Sequence, residues 1–574
     1  MTAREARTVI ILTGSHTITV GYGIHEILKR PSISLTARVG LPRATSASSS
    51  SAAPPSYTQY LVGSALDEAE RRGEDLAIFW PMRRGYVRDW QQMTALWNYV
   101  LFHLLPIRRS HNDSNVLISL PLPVSRDTHS FLTQIFFEHF NSAAITIVEK
   151  PLLACYGVGT MNGCVVDLGY ETCDVTPVIE CLPQVNANVK TRLGARHCIL
   201  YLAQLLRRDT SIVKAIQTLL RYSRKSTVAS SSKENDEAQL RSAFVSLAHQ
   251  LVDEGLVLDE EAVKKGAGGI ISAAEGAEDD EGNFDIAAVL VDGGRKAVEE
   301  EEERRRAAIE AANRGDEIDE SVLASITSDD GQAGASTDPK AVLVHFRGLK
   351  LKIGPERFRF LEPLFRPELL KDVPEANSFR LGDEPFGAGP HVSIDAHSTT
   401  GAAPVTSAEI VEGASAGRPH VSISYDTLPL ETAPIDWTQE ASLPHAISDS
   451  ISRVEDADRR PQLWENLIFT GQPASIKTIQ IEAIAALSEY VSTEQTESAQ
   501  VLAEPNPLQP RNVRALRVPD YFSEFKDRTD LAQFLGGTIY AKLIFGDPQA
   551  KAFITKQNYN EAGPSQAFAV KAAV

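Results

Sequence analysis

Cysteine has the widest chemical repertoire of any residue in this 574-residue chain, and its five copies are Cys155, Cys164, Cys173, Cys181 and Cys198. None forms a CxxC pair and most sit in apolar, strand-like sequence, so buried reduced thiols are expected rather than a metal or redox cluster. Charge is the second resource. With 57 Lys and Arg against 75 Asp and Glu, the formal net charge is −18. That balance disfavours broad contact with DNA phosphates, which requires cations to replace counterions, and is better matched to a basic protein surface. Acids and bases four residues apart (Glu300–Arg304, Glu301–Arg305, Glu302–Arg306) would each add about 0.2–0.5 kcal/mol to an isolated helix. The run reads either as a solvated helix or as a docking arm for a basic partner. The stripe of Trp90, Met93, Leu96, Trp97, Val100, Leu101 and Leu104 has helical spacing and is expected to be core, not a cofactor box.

These residues need elements to position them. A β-branched run at 8–12 meets a Gly14-Ser15 turn and an alternating return at 17–21, the pattern of a hairpin. Asp89 stands as N-cap before the Trp90 stripe, which Pro106 closes. Strand patterns at 116–120, 145–148, 164–167 and near Val175 alternate with helical patterns through Phe131 and Ile135 and from Pro151. That alternation predicts an α/β layered domain. Composition shifts interrupt it three times: a Ser-rich loop at 41–57, an acidic stretch at 223–339, and a Gly-, Pro- and Ser-rich stretch at 371–435. The core is therefore expected in 1–40, 58–222, 340–370 and 436–574, with long, partly disordered insertions between. No run of about 18 uncharged apolar residues occurs and residues 1–7 are polar, so a soluble intracellular protein without a membrane span is expected.

Three segments carry a family resemblance. Gly354-Pro-Glu-Arg-Phe-Arg followed by Leu364-Phe-Arg-Pro, Phe553-Ile-Thr-Lys-Gln-Asn-Tyr-Asn-Glu-Ala-Gly-Pro-Ser565, and Gly85-Tyr-Val-Arg-Asp-Trp90 resemble segments of the actins. Two further stretches, 518–542 and 286–306 with its Gly-Gly-Arg, resemble the actin-related protein nine branch of fungal SWI/SNF and RSC chromatin remodellers. The resemblance implies an actin-like fold, shared with heat-shock chaperones and sugar kinases: two α/β lobes around a nucleotide cleft, with two hairpins whose backbone N–H groups clasp phosphates.

Carried over position by position, that cleft is incomplete. The first hairpin keeps Gly14 and Ser15, but Leu12 occupies the place of a magnesium-ordering acid, His16 replaces a glycine, and Thr19 stands where a lysine would reach phosphate. Leucine cannot bind a hydrated cation, and an imidazole crowds a turn that works by having no side chain. The second hairpin keeps Asp167 and Gly169 and loses an Asp-Gly pair to Tyr170 and Glu171. Asp174 takes the place of a histidine near the attacking water, and Lys150 that of the glutamine that positions it. On the adenosine side Gly471 survives, Pro473 removes a backbone donor, and Asp530 stands for a lysine. The implied outcome is no catalytic residue, no metal, no cofactor and no ATP turnover, because phosphoryl transfer depends on placement and electrostatics. If Lys150 enters the emptied cleft it can pair with Asp167, an attraction of about 4 kcal/mol at about 4 Å before desolvation. Otherwise it turns to solvent.

The resemblance also implies a partner groove with Tyr156 and Gly159 on one wall and Leu535, Ile539, Tyr540 and Leu543 on the other. The last four share one helix face. The alternative is that this face packs into the protein's own core. The implied partner is the helicase-SANT-associated helix of a remodeller ATPase, a long basic amphipathic helix, bound beside a second actin-related protein or actin in the nucleus. No direct specific nucleic-acid contact is implied. The competing readings are an actin-fold enzyme that binds ATP and a filament-forming cytoskeletal relative. Turnover with ATP and magnesium would mark the first, and pelleting the second.

Overall fold

The computed structural model describes residues 3–24, 29–42, 55–122, 124–224, 233–257, 270–272, 341–377, 435–490, 512–547 and 552–568. The stretches 43–54 and 378–434 and the charged run at 300–306 lie outside the described residues.

The first sheet starts with strand β1 (Thr8–Thr13), whose six residues are all buried, and turns at Gly14 into antiparallel β2 (Thr17–Tyr22). Strand β3 (Ile33–Thr36) pairs with β2. On the other side β4 (Asn115–Leu120) runs parallel to β1, and β5 (Ala144–Glu149) parallel to β4. The short strand Ile554–Thr555, within the actin-like C-terminal segment, closes the far edge against β5. Helix α1 (Trp90–Tyr99) covers one face, and the Asp89 carboxylate caps it by accepting from the Gln92 amide at 3.0 Å. Its apolar stripe is buried as expected up to Leu101, but Leu104 is exposed. The reason is a π turn over Val100–Leu104, which adds a residue per turn and rotates the last stripe position outward.

Helix α2 (Lys150–Val158) links this sheet to a second one built on the same plan. There β6 (Gly163–Leu168) and β7 (Cys173–Ile179) form the hairpin, and β8 (Val189–Thr191) pairs with β7. After helices α3 (Ala195–Leu206) and α4 (Lys233–Asp253) come β9 (Leu467–Thr470), parallel to β6, and β10 (Ala515–Arg517), parallel to β9. Helix α5 (Ala532–Gly546) returns to α2. Each sheet thus has a hairpin with a parallel neighbour beyond its first strand, two α/β lobes in all, the architecture expected from the resemblance.

Side-chain alternation divides the core. From β1, Val9 and Ile11 face a cluster with α1, whereas Ile10 and Leu12 face a central cluster shared with α2 and α5. From β6, Val165 faces that same central cluster, and Cys164, Val166 and Leu168 face the outer cluster of the second lobe. The α2–α5 layer is therefore held between the two sheets. Glycines let it be thin: a Cβ on Gly157 would lie 2.0 Å from the Ala532 carbonyl oxygen, and one on Gly536 would lie 1.7 Å from that of Leu153.

Two expectations are corrected. The compositional break at residue 223 does not end the packed chain, because α4 buries Leu240, Ala243, Phe244, Leu247, Ala248 and Leu251 in the second lobe. These fall at intervals of three and four, one helix face, and the polar residues that changed the composition occupy the other. Second, Leu535, Ile539 and Tyr540 are 0%, 1% and 2% exposed and belong to the central cluster. They are core, and only Tyr156, Gly159 and Leu543 of that expected groove retain intermediate exposure.

Candidate functional site

The interlobe cleft is bounded by two matching turns. In the first, the Gly14 amide donates to the Thr17 carbonyl at 3.0 Å; in the second, the Gly169 amide donates to the Thr172 carbonyl at 2.9 Å. A Cβ on either glycine would fall within 3.0 Å of that carbonyl oxygen, so both turns require glycine on steric grounds. Gly471, at the end of β9 with φ +88°, is similarly obliged: a Cβ there would lie 2.3 Å from the Leu168 carbonyl and 3.0 Å from Asp167 Oδ1. Leu12 and Thr19 face each other in the β1–β2 ladder, and Leu12 packs into the central cluster. Ser15 is half-buried in the first turn.

Rings occupy the space between the turns. His16 and Tyr170 stack with centroids 4.0 Å apart and planes 17° from parallel. Trp80 stacks on His16 at 5.4 Å, and His249 of α4 lies 6.3 Å from His16 and 6.4 Å from Tyr170. Burial, with His249 and Arg38 adding repulsion, pushes the His16 imidazole down to about 4. Burial alone takes His249 to about 4. Both are neutral at physiological pH, and the stack is held by dispersion and ring electrostatics instead of charge.

Two ion pairs lie behind the rings. Lys150, the first residue of α2, places Nζ 3.7 Å from Asp167 Oδ2, with side-chain exposures of 12% and 10%. The pairing considered from sequence therefore occurs, and the lysine does not turn to solvent. Asp174 Oδ1 is 3.1 Å from Lys190 Nζ, and the Thr172 hydroxyl donates to Asp174 Oδ2 at 3.3 Å. Burial raises the Asp174 carboxyl to about 6; Asp167 adds to the rise, and Lys190 and Lys150 oppose it. Asp174 is consequently charged at neutral pH and gains protons in mild acid.

The structure thus gathers His16, Lys150, Asp167, Gly169, Asp174 and Gly471 around one cleft. Sequence reading missed Trp80 and His249, which lie far from both turns in the chain, and Lys190, which stands opposite Asp174 on the neighbouring strand β8. Asp530, expected near a nucleobase, is taken up by Arg528, whose guanidinium donates to it at 2.9 and 2.8 Å. Four of the five cysteines are buried and Cys181 is intermediate; all are free thiols.

The sequence profile of the family described as Actin matches residues 3–572. The chain belongs to the actin family. Among its curated relatives, the SWI/SNF and RSC complexes subunit arp9 of Schizosaccharomyces pombe is 22% identical over 516 residues, spanning 84% of this chain and 77% of that protein. Actin-related protein 7 of Arabidopsis thaliana is 34% identical over 143 residues, 25% of this chain and 39% of that protein. Actin-like protein 9 of Mus musculus is 30% identical over 142 residues, again 25% of this chain and 34% of that protein. This actin-family chain is accordingly an actin-related protein that resembles a subunit of SWI/SNF and RSC complexes.

A second surface of this actin-family chain rims the central cluster. Tyr156 lies edge-on to Tyr540 at 5.4 Å, and Tyr156, Cys181 and Leu543 pack against the cluster while staying partly exposed. The Cys181 amide donates to the Met161 carbonyl at 2.9 Å. That contact brings the bend at Met161 beside the turn that leads into the short strand Leu182–Pro183, and the Met161 and Leu182 side chains are half exposed. Scattered single apolar residues need no explanation, but adjacent ones on joined segments form a patch.

Proposed function

We propose that this chain is a non-catalytic structural subunit of a nuclear chromatin-remodelling complex of the SWI/SNF or RSC type. The observation that carries the non-catalytic reading is the content of the cleft. Stacked His16 and Tyr170 rings fill the gap between the two turns, and an ammonium sits 3.7 Å from Asp167, the acid that the resemblance retains ahead of the second turn. Residues present do not fit a magnesium nucleotide: Leu12 offers no oxygen, and the Lys150 charge already stands beside the carboxylate a hydrated cation would need. No step of phosphoryl transfer is therefore assigned to this chain. Purified full-length protein should release no phosphate from ATP with magnesium, and its melting temperature should be unmoved by millimolar MgATP; turnover, or a concentration-dependent stabilisation, would reject this reading.

As a subunit it binds a long basic helix, the helicase-SANT-associated segment of a remodeller ATPase, beside a second actin-like protein. The patch of Tyr156, Gly159, Met161, Leu182 and Leu543, together with a net charge of −18, supports an amphipathic partner with apolar anchors and cationic flanks. Because Leu535 is core, the discriminating variant is Met161→Asp with Leu182→Asp. It should abolish copurification of such a helix and change stability by no more than about 0.5 kcal/mol per site, as exposed substitutions do. Undiminished capture of the helix would remove this surface from consideration.

A further inference from the structure

Among the described residues several connections cross the cleft between groups that belong to different lobes, and three of them bear on its closure. The ring stack joins His16 to Tyr170. The Arg84 amide, in a turn beside the first sheet, donates to Glu171 Oε2 of the second hairpin at 2.6 Å. The third connection is Lys190. Its ammonium rises from β8 of the second lobe, pairs with Asp174 of its own lobe at 3.1 Å, and donates to two carbonyl oxygens of the first lobe, Leu122 at 2.8 Å and Arg84 at 3.4 Å. An ammonium has three N–H donors, and here three oxygens surround it. The Tyr86 ring lies beside it at 4.9 Å, within cation–π range. The side chain is only 17% exposed, so release would leave a buried charge without its partners, which is costly. The turn that receives it is shaped for the purpose. Gly85 has φ +85°, and a Cβ there would come within 3.0 Å of Lys190 Nζ.

We infer that Lys190, seconded by the His16–Tyr170 stack, is a latch that holds the two lobes at one closing angle with no ligand between them. In a two-lobed protein whose cleft is bridged by a bound molecule, closure depends on that molecule's concentration. Here the bridging atoms belong to the chain itself, so closure is a property of the fold. The latch is separate from the partner patch and does not depend on it.

The Arg84 amide is its own reporter, because its acceptor lies on the opposite lobe. In ligand-free full-length protein its hydrogen exchange should be slow. Lys190→Met combined with Asp174→Asn removes the charge without stranding the carboxylate, and should accelerate exchange at Arg84 about tenfold or more while leaving the α5 amides unchanged. Tyr170→Ala, at a partly exposed ring, tests the same inference without touching the buried pair and should accelerate exchange at Arg84 and at the Gly14 turn. No acceleration in Tyr170→Ala would strike the stack from the latch. Fast exchange at Arg84 in the wild-type protein, a test that needs no variant, or no acceleration in a folded Lys190→Met/Asp174→Asn protein, would overturn the latch itself. A parallel sample with MgATP separates the two readings: extra protection there would count against the nucleotide-free function, whereas the ligand-free exchange of the wild type and the variants bears on the latch.

Discussion

Lys150 and Asp167 show how the residue beside a carboxylate changes what that carboxylate can do. A carboxylate at the end of β6 is useful to a cation, and here the nearest cation is covalently part of the chain, 3.7 Å away. Taking charges out of water is costly, so such a pair stabilises the fold mainly by comparison with either charge left alone. Lys150→Met should therefore destabilise by about 3 kcal/mol, at the lower end for breaking a buried pair because the separation is long for a hydrogen bond. Lys150→Met with Asp167→Asn should recover most of that loss. Urea titrations of the two single variants and the double variant would measure the coupling directly. The sequence allowed this pairing but could not choose it over a solvent-facing lysine, since nothing local to Lys150 fixes where its ammonium goes.

At the scale of elements, the α2–α5 contact decides what the central layer can be. The two helices approach so closely that Gly157 and Gly536 leave no room for a methyl group against the opposing backbone. Gly536→Ala would improve intrinsic helix propensity by about 1 kcal/mol. It should nonetheless lower the melting temperature, because backbone atoms at such distances cannot yield as a side chain can. Leu535→Ala, beside it and fully buried, should cost about 2–5 kcal/mol by leaving a cavity. Both outcomes are readable by thermal and urea unfolding, and a neutral Leu535→Ala would mean that α5 presents that face outward after all. Helical spacing correctly marked this face as apolar. It could not say whether the apolar neighbour was α2 or another protein, because periodicity records that a face is covered and not by what.

For the whole molecule, buried titratable groups, His16, His249 and Asp174 at the cleft and His197 of α3 within the second lobe, couple folding to pH. His16 and His249, each lowered from 6.5 to about 4, and His197, lowered to about 3, bind fewer protons in the folded than in the unfolded chain between about pH 4 and 6.5. Their contribution to stability is lost as pH falls through that window. Asp174, raised from 3.8 to about 6, binds more protons when folded and contributes in the opposite sense, its share being present in acid and lost as pH rises through about 6. Among the largest shifts three histidines outweigh one aspartate, so the melting temperature should rise from pH 4.5 to pH 7. His249→Gln should flatten that slope. A melting temperature that falls over the same range would mean that the carboxylate dominates and that the rings are more open to water than their burial implies.

The order of the residues alone determined the β1–β2 hairpin, the Asp89 cap, the alternation of strands and helices, and membership of the actin family, since each rests on neighbours within a few positions or on a contiguous motif such as Phe553 to Ser565. Only the tertiary structure decided that Leu535 and Ile539 are core while Leu182 and Met161 face out, that α4 belongs to the packed second lobe, and that His16, Tyr170, Trp80 and His249 form one stack. Contacts of that kind join residues tens to hundreds of positions apart. They follow from how two sheets close on each other, and no local spacing in the chain encodes that closure.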